Sequence, residues 1–240
     1  MGKVITIKNN KGGVGKSWIT LQLAHVLSMI EKSPGKNHKI LTLTSDSQNN
    51  ILLYAGIDLE ITTGLEDLVI KGTGDIIRLR DNLYYIPLVT NNFSKNFREK
   101  LKTTLEQLKN EYDFILVDSV PVLNIDEDFV KLADYIIIPT ILDTASCKGI
   151  LNLSNEVDIK KIKAIIPNKY TKTKAENFWK NILNDFLKGN SIYFSRPINQ
   201  SAIIGEMTHN GKTIWESSSK KVEEFQEILL DVAQVIVNEK

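Results

Sequence analysis

A glycine-rich segment near the N-terminus carries the clearest chemical signal in the sequence. Its residues are Asn10-Lys11-Gly12-Gly13-Val14-Gly15-Lys16-Ser17. Such a segment binds phosphate when it follows a strand and opens a helix, because its backbone N–H groups surround the oxygens and the helix dipole favours an anion. Lys16 would then reach the β- and γ-phosphates of a nucleotide, and the Ser17 hydroxyl would be a ligand of Mg²⁺.

The segment departs from the strict phosphate-loop pattern at one position. The pattern has glycine where this chain has Asn10, and a second lysine, Lys11, directly precedes the double glycine. A glycine-rich turn with incidental lysines is the alternative interpretation. The strand and the helix predicted on either side of the segment favour the phosphate loop.

A further site residue is predicted at the end of a hydrophobic strand. The segment Phe114–Asp118 is apolar until its final carboxylate, which is the Walker B arrangement. Asp118 would hold Mg²⁺ through the water shell of the metal. Many strands end in aspartate, and it is the phosphate loop earlier in the chain that makes this interpretation specific.

Short β-branched runs alternate along the chain with longer amphipathic stretches. Runs such as Ile136-Ile137-Ile138 are apolar on both faces, as in strands that helices cover on both sides. The alternation predicts an α/β fold with a doubly wound, mostly parallel sheet. The predicted strands are Lys3–Lys8, Lys39–Thr44, Leu83–Pro87, Phe114–Asp118, Tyr135–Pro139, Ile162–Pro167 and Ser191–Phe194. The predicted helices are Lys16–Ile30, Ser94–Asn110, Lys172–Lys188 and a last helix from about Ser218.

Composition places the chain among globular proteins and excludes several other classes. Of 240 residues, 42% are hydrophobic and 25% are charged, and no stretch is as long and apolar as a membrane span. The single cysteine, Cys147, excludes an internal disulfide, and the three histidines have no metal-ligand spacing. The net charge of +1 identifies no partner. We expect a cytoplasmic protein with one domain over residues 1–240.

The phosphate loop and the segments around it resemble those of the ParA/MinD family of ATPases. The pattern Lys-Gly-Gly-x-Gly-Lys-Ser at residues 11–17 is similar to the deviant Walker A motif of that family, and Asn9 matches the family as well. Asp46, Gln48 and Asn50 resemble its second-strand motif. The resemblance covers nearly the whole chain and implies a P-loop NTPase fold that binds ATP and Mg²⁺.

The resemblance also implies roles for individual residues. Lys11 would cross a homodimer interface to the phosphates bound by the partner subunit, so that dimerisation depends on ATP. Asp46 would orient the attacking water, although capping of a short helix near Gln48 is the alternative. Asn168 would contact the adenine base, or act only as a turn residue. The expected catalytic residues are Lys11, Lys16 and Asp46, the metal-binding residues are Ser17, Asp46 and Asp118, and the nucleotide-binding residues are Lys11, Gly12, Gly13, Val14, Gly15, Lys16, Ser17, Trp18 and Asn168.

Three residues near the predicted site depart from the family pattern. Trp18 stands where the family has a small hydroxyl residue, Thr44 replaces an aspartate, and Val120 replaces the first residue of a Pro-Pro pair, of which Pro121 is kept. An indole beside the Mg²⁺ ligand would pack under the loop or narrow the site. We expect these departures to affect the rate of hydrolysis more than ATP binding.

Within the family, the sequence favours the branch that segregates DNA. A single cysteine argues against the branch with an iron–sulfur cluster, and Tyr193, the last tyrosine, argues against a tyrosine-rich tail. The stretch Val222–Lys240 has an acidic polar face, which is unsuited to an anionic membrane. The resemblance to short ParA-type proteins implies an ATP-bound homodimer that binds nucleoid DNA without sequence preference, and a centromere-binding ParB-like adaptor that stimulates hydrolysis.

A lysine-rich segment is the candidate DNA-binding surface. Ile159–Lys188 contains eight lysines and two acidic residues, a local charge of +6, and clustered lysines bind DNA phosphates. A solvated helix face is the alternative interpretation. The candidate contacts are Lys160, Lys161, Lys163, Lys169, Lys172, Lys174 and Arg196. Two other functions stay open, an ATPase that positions a cargo other than DNA and a metabolic P-loop synthetase or kinase, and Lys11 argues against the second.

Overall fold

The computed structural model describes residues 1–91, 93–120 and 125–238, apart from the side chains of residues 153–156. The strands are β1 (Lys3–Ile7), β2 (Glu31–Ser33), β3 (Lys36–Asn37), β4 (Ile40–Thr44), β5 (Ile77–Arg80), β6 (Leu83–Ile86), β7 (Phe114–Asp118), β8 (Tyr135–Thr140), β9 (Ile162–Pro167) and β10 (Tyr193–Phe194). The helices are α1 (Lys16–Met29), α2 (Asn50–Tyr54), α3 (Leu65–Lys71), α4 (Lys95–Glu111), α5 (Ile125–Leu132), α6 (Thr144–Glu156), α7 (Lys174–Leu187), α8 (Ala202–His209) and α9 (Lys220–Val237). Short 3₁₀ turns cover Ile159–Lys161 and Ile214–Glu216. Within the described ranges, no helix is long and apolar enough to cross a membrane.

Eight of these strands form one sheet in the order β10-β9-β8-β1-β7-β4-β6-β5. Neighbouring strands run parallel except β5, which is antiparallel to β6. The strands β2 and β3 form a separate antiparallel hairpin. The mostly parallel sheet confirms the fold predicted from the alternating pattern.

Alternate residues of the central strands face opposite layers of helices. Ile5 and Ile7 of β1 pack in a core with α1, α2 and α9, whereas Val4 packs in a second core with α3, α4 and α5. A third core joins β8 and β9 to α6 and α7. Helices therefore cover both faces of the sheet, which explains why the strands read as continuous apolar runs.

The predicted helices are present, and their ends follow local capping. Ser94 caps α4 by accepting the N–H of Phe97 at 3.1 Å. The helix predicted from Lys172 begins two residues later, because Thr173 and Glu176 form a reciprocal capping box. The prediction lacks α3, α5, α6 and α8, three of which have only seven or eight residues. Two turns are too short for a clear hydrophobic period.

The carboxyl ends of the parallel strands bring the predicted site residues to one edge of the sheet. Ile7 of β1 lies opposite Asp118 of β7, and Asp118 lies opposite Thr44 of β4. The phosphate loop follows Ile7, and Asn168 follows Pro167 at the end of β9. Ligands of open α/β sheets bind at this edge.

The short helix α2 is fixed beside that edge by a close contact between two glycines. Gly56 follows α2 and Gly211 follows α8, and both have left-handed backbones (φ +71° and +64°). A Cβ atom on Gly211 would lie 2.3 Å from the Cα of Gly56. Arg80 closes the same corner, since it donates to the carbonyls of Ala55 and Gly211 at 3.2 and 3.0 Å and pairs with Glu216 at 3.0 Å.

We predict that Gly211→Ala destabilises the protein by about 3 kcal/mol, because a left-handed alanine and a steric overlap add their costs. Gly35→Ala is the matched control, since Gly35 is also left-handed (φ +71°) but a Cβ there would meet nothing within 4 Å. The control should lose only about 1 kcal/mol. Urea unfolding measures both values, and equal losses would show that the contact between Gly56 and Gly211 is not tight.

Candidate nucleotide-binding site

The loop between β1 and α1 has the backbone geometry of a phosphate cradle. Gly13 and Gly15 lie in the left-handed region, with φ of +74° and +96°. A Cβ on Gly15 would also lie 2.3 Å from Nδ2 of Asn168, so only glycine fits there. Gly15 is the N-cap of α1 and has no side chain to bond the first turn. The N–H groups at the start of α1 are thus left for phosphate oxygens.

Lys16 is buried at the centre of this loop. Its ammonium group donates to the carbonyls of Asn9 and Lys11 at 3.2 and 3.0 Å. Burial lowers the pKa of Lys16, and the nearby carboxylate of Asp118 partly opposes this shift. The side chain of Asn9 fixes the base of the loop by donating to the carbonyl of Pro139 at 2.7 Å. Lys16 thus lies where its charge is poorly solvated and where an anion would stabilise it.

Asp118 is a buried carboxylate beside the loop. Only 2% of the residue is exposed, and its Oδ1 atom has no hydrogen-bond partner among the described residues. Burial raises the pKa of Asp118 to about 6, against the neighbouring Ser17 hydroxyl and Lys16 ammonium, which both lower it. An orphaned carboxylate oxygen next to a serine hydroxyl is a donor set that suits a hard cation.

Asp46 lies at the turn between β4 and α2, where it has a structural contact and also faces the cleft. Its Oδ1 atom accepts the N–H of Gln48 at 3.0 Å within the turn, whereas the N-cap of α2 is Asn49, so Asp46 is not the helix cap that was the alternative. Asp46 also lines the cavity of the phosphate loop. Thr44, which replaces a family aspartate, accepts the N–H of Asp46 at 3.0 Å and so shapes this turn. The water-orienting role of Asp46 stays a prediction.

Two adjoining cavities lie over the loop, of about 410 and 390 Å³. The first is lined by the phosphate loop with Asp46 and Val120, and the second by Asn168 and α8. Both are in the size range of small-molecule sites. The residues common to both cavities are Gly15, Trp18, Tyr54 and Lys169. Together they divide the cleft into a phosphate region and a region for the rest of the nucleotide.

Trp18 both packs under the loop and narrows the cleft. The residue is 8% exposed and belongs to the core around α1, yet it lines both cavities. Val120 lines the phosphate cavity, and its N–H donates to the Ser45 hydroxyl at 2.8 Å. Pro121, the retained member of the family pair, lies outside the described residues.

Asn168 contacts the phosphate loop directly. Its Nδ2 atom donates to the carbonyl of Val14 at 2.9 Å, and its N–H donates to the carbonyl of Thr140 at 2.7 Å. The side chain also lines the second cavity. Asn168 therefore supports the loop in addition to any contact with a base, which stays a prediction.

Lys11 points away from its own loop. Its ammonium group forms an ion pair with Asp143, and the two side chains are 39% and 38% exposed. Asp143 also accepts the N–H of Ser146 at 2.8 Å in the first turn of α6. Burial opposes ionisation, but Lys11 and Ser146 hold the pKa of Asp143 below its usual value.

The seven candidate DNA contacts are distributed over both ends of β9, the strand itself and a later segment. Lys160 and Lys161 precede β9, whereas Lys169, Lys172 and Lys174 follow its carboxyl end. The six residues of β9 separate these groups by about 20 Å. DNA binding by either group stays a prediction.

Other members of the candidate set have partners within the chain. Lys163 lies 5.0 Å from the ring centroid of Tyr135. Arg196 forms ion pairs with Glu227 at 3.2 Å and Asp231 at 3.6 Å. A lysine count along the sequence contains no information on these contacts.

Sequence reasoning did not assign three residues to this site, and it placed one of them, Lys169, among the DNA contacts. Tyr54 faces both cavities, Lys169 faces the cleft, and Asp143 holds Lys11. The sequence around Asp143 contains one local signal, because aspartate is a preferred N-cap residue whose side chain accepts the N–H of the third residue of the helix. Its pairing with Lys11 joins residues 132 positions apart and leaves no local pattern.

The sequence from residue 2 to residue 171 matches a family model described as an AAA domain. The sporulation initiation inhibitor protein Soj of Bacillus subtilis is 29% identical to the chain over 173 residues, which cover 65% of this chain and 65% of Soj. The chain belongs to the ParA/MinD family of ATPases. The match thus spans slightly less than two thirds of the length of Soj.

The fold of this ParA/MinD ATPase recurs in solved structures. A plasmid partition protein from Borrelia burgdorferi is 25% identical, with a TM-score of 0.69 over 97% of this chain and 100% of that chain. An ATP complex of a McdA variant from Cyanothece is 15% identical, with a TM-score of 0.80 over 100% of this chain and 98% of that chain. The similarity extends over the whole described fold.

The site residues of this ParA/MinD ATPase fit ATP as the nucleotide and Mg²⁺ as the metal. Lys16 and the loop N–H groups would hold the phosphates, and Ser17 and Asp118 would hold Mg²⁺. When bound, the metal neutralises phosphate charge and polarises the phosphoryl oxygens. The unpartnered oxygen of Asp118 and the poorly solvated ammonium group of Lys16 are the structural observations behind this fit.

We predict that Asp118→Asn stabilises the nucleotide-free and metal-free protein at neutral pH. The folded-state pKa of Asp118 is about 6 against 3.8 for the ordinary group, so ionisation opposes folding. This cost is absent below about pH 4, grows as pH rises, and is complete above about pH 6, where it is on the order of 3 kcal/mol. Urea unfolding at about pH 4 and pH 7.5 measures the difference.

Asp113→Asn is the control with the opposite sign. Burial opposes ionisation of Asp113, but Lys32 and the N–H of Lys39 hold its pKa below the usual value. Its charged form stabilises the fold above the unfolded pKa, and that stability is lost as pH falls. Asp113→Asn should therefore destabilise the protein at neutral pH. If Asp118→Asn were also less stable than the unchanged protein at pH 7.5, the buried charge would not be a cost.

Proposed function

We propose that this ParA/MinD ATPase segregates DNA. ATP and Mg²⁺ drive two copies into a face-to-face homodimer, and the dimer binds DNA without sequence preference. A centromere-binding adaptor of the ParB type then stimulates hydrolysis, and the ADP-bound subunits separate and leave the nucleoid. The similarity of the chain to a plasmid partition protein from Borrelia burgdorferi supports this proposal.

The position of Lys11 is the observation that carries the proposal. Lys16 already fills the inside of the loop, while the side chain of Lys11 is half-exposed and is paired with Asp143 outside the two cavities. Lys11 is therefore placed to reach a triphosphate in a facing subunit. Two facing loops with paired lysines repel each other, and a triphosphate between them removes that repulsion. This makes dimerisation dependent on ATP.

Within each site, different residues serve different parts of phosphoryl transfer to water. Lys16 stabilises charge on the β- and γ-phosphates, and Ser17 and Asp118 hold the metal. Asp46 orients the water whose oxygen attacks the γ-phosphorus as the bond to the ADP oxygen breaks. Such catalysis is mainly positioning and electrostatic stabilisation, so a misplaced Asp46 would slow hydrolysis more than it weakens binding.

We assign the DNA contact to the lysines that follow the carboxyl end of β9. Lys172 and Lys174 are exposed there, on the same side of the sheet as the nucleotide cleft. Dimerisation through the cleft brings together the edges of the two subunits that carry these lysines. The positive charge of the combined surface therefore doubles only in the ATP state. Lys160 and Lys161 lie at the far end of β9 and do not gain from dimerisation.

We predict that duplex DNA is bound in the ATP state and not in the apo or ADP state. Asp46→Ala should bind ATP and hold DNA longer, because it cannot complete hydrolysis, whereas Lys11→Ala should lose DNA binding. Affinity should fall about 10- to 100-fold between 50 and 200 mM salt, as expected for a few phosphate contacts. Fluorescence anisotropy of a labelled duplex across the three nucleotide states measures this.

The same experiment separates the remaining alternatives. An ATP dimer that ignores DNA at low salt would point to an ATPase that positions another cargo. ATP turnover that requires a small acid substrate would point to a metabolic synthetase or kinase. A Lys11→Ala variant that dimerises with ATP as well as the unchanged protein would end the assignment of Lys11 to the partner site.

We predict that Asp143→Asn strengthens ATP-dependent dimerisation. The variant keeps the cap on the N–H of Ser146, since asparagine caps as well as aspartate, but releases Lys11. A half-exposed ion pair contributes about 0.2–1 kcal/mol, and two such pairs open per dimer, so the dimer constant should rise about 2- to 30-fold. Analytical ultracentrifugation with ATP measures the constant.

Asp158→Asn is the matched control for this prediction. Asp158 caps the 3₁₀ turn Ile159–Lys161 by accepting the N–H of Lys160 at 3.0 Å, and it forms no ion pair with a lysine among the described residues. Its replacement should leave dimerisation unchanged. A dimer constant of Asp143→Asn below that of the unchanged protein would mean that Asp143 supports the dimer rather than competing with it.

A further inference from the structure

Lys169 contacts the nucleotide cleft, although its sequence neighbourhood suggested DNA. Its ammonium group donates to the carbonyl of Gly13 in the phosphate loop at 2.8 Å. The side chain also lines both cavities, at the boundary between the phosphate region and the second region. No other candidate DNA contact reaches the loop among the described residues.

The backbone around Lys169 fixes this direction. Lys169 has a left-handed conformation (φ +55°), which is uncommon for a residue with a side chain. The next residue is held on both sides, because the N–H of Tyr170 donates to Ile198 and its carbonyl accepts the N–H of Gln200, both at 3.0 Å. The left-handed turn therefore lies in an anchored segment, and it turns the lysine from β9 toward the loop.

The contact with Gly13 has a specific use. A phosphate loop binds anions through N–H groups, so its carbonyl oxygens have to point elsewhere. The carbonyls of Gly13 and Val14 are consecutive, and they are bonded by the consecutive residues Lys169 and Asn168. These two residues bond the loop from the β9 side, while Lys16 bonds the carbonyls of Asn9 and Lys11 in its first half.

We infer that Lys169 is a positioning residue for nucleoside di- and triphosphates. By bonding the carbonyl of Gly13, it holds the peptide between Gly13 and Val14 with the N–H of Val14 toward the cleft, and it adds a positive charge beside the phosphate region. The inference deepens the ATP site of the proposed function and does not depend on DNA binding. The affinity lost on replacing Lys169 should be larger for ATP and ADP than for AMP, because the loop surrounds the phosphates and not the base.

The test is the binding of ATP, ADP and AMP to Lys169→Met, measured by isothermal titration calorimetry. The dissociation constants for ATP and ADP should rise about tenfold, a change typical of one lost charged hydrogen bond, and that for AMP less than about twofold. Lys169→Arg should restore most of the affinity. Basal hydrolysis should show a raised KM with kcat changed less than about twofold, a division that general loss of structure would not produce.

Lys102→Met is the matched control, since Lys102 is an exposed lysine on α4, away from the cleft. It should bind all three nucleotides as the unchanged protein does. If Lys169→Met bound ADP equally well, the inference would be overturned. If it then lost DNA affinity at saturating ATP, with a salt slope lower by about one, Lys169 would be a DNA contact instead.

Failure of the proposed function looks different in these measurements. If the unchanged protein bound DNA in no nucleotide state while Lys169→Met still lost ATP and ADP affinity, DNA segregation would fail and the role of Lys169 would stand.

Discussion

A phosphate loop can bind an anion only when its N–H groups face the cleft and its carbonyl oxygens face elsewhere. This chain meets that constraint with side chains from distant places: Lys16 bonds two carbonyls of the loop, and Asn168 bonds a third. The constraint acts in both directions, since Asn168 fills the space where a side chain on Gly15 would lie. The loop can therefore bind phosphate only when β1, the turn after β9 and the first turn of α1 are all in their native positions.

The same arrangement leaves the cleft electrostatically incomplete without ligands. Burial disfavours the charged forms of both Lys16 and Asp118, and one oxygen of Asp118 lacks a hydrogen-bond partner among the described residues. A phosphate complements the first group and a cation complements the second, so the complex satisfies what the free protein leaves unsatisfied. These two groups lower the stability of the free protein and favour binding, as is common where functional residues are buried in the core.

Local patterns in the sequence were sufficient to predict the central sheet and the phosphate loop. Continuous apolar runs marked β7, β8 and β9, and the glycine spacing marked the loop, because both signals lie within a few residues. The contacts of Lys11 with Asp143 and of Lys169 with Gly13 were not predictable, since each joins positions more than 130 residues apart. The lysine-rich segment shows the same limit. Its charge follows directly from the sequence, but its lysines lie at opposite ends of β9.

The order of strands in the sheet also governs how the chain is made. Among the described residues, β1 pairs with β7 and β8, whose residues come more than a hundred positions later in the chain. During translation, β1 stays unpaired until β7 and β8 have been synthesised, and such non-local pairing is slow. Residues 168 and 169, which hold the loop from the other side, leave the ribosome later still. A nascent chain therefore acquires a complete ATP cleft only after residue 169 has emerged, so nucleotide cannot guide the folding of the segments made before it.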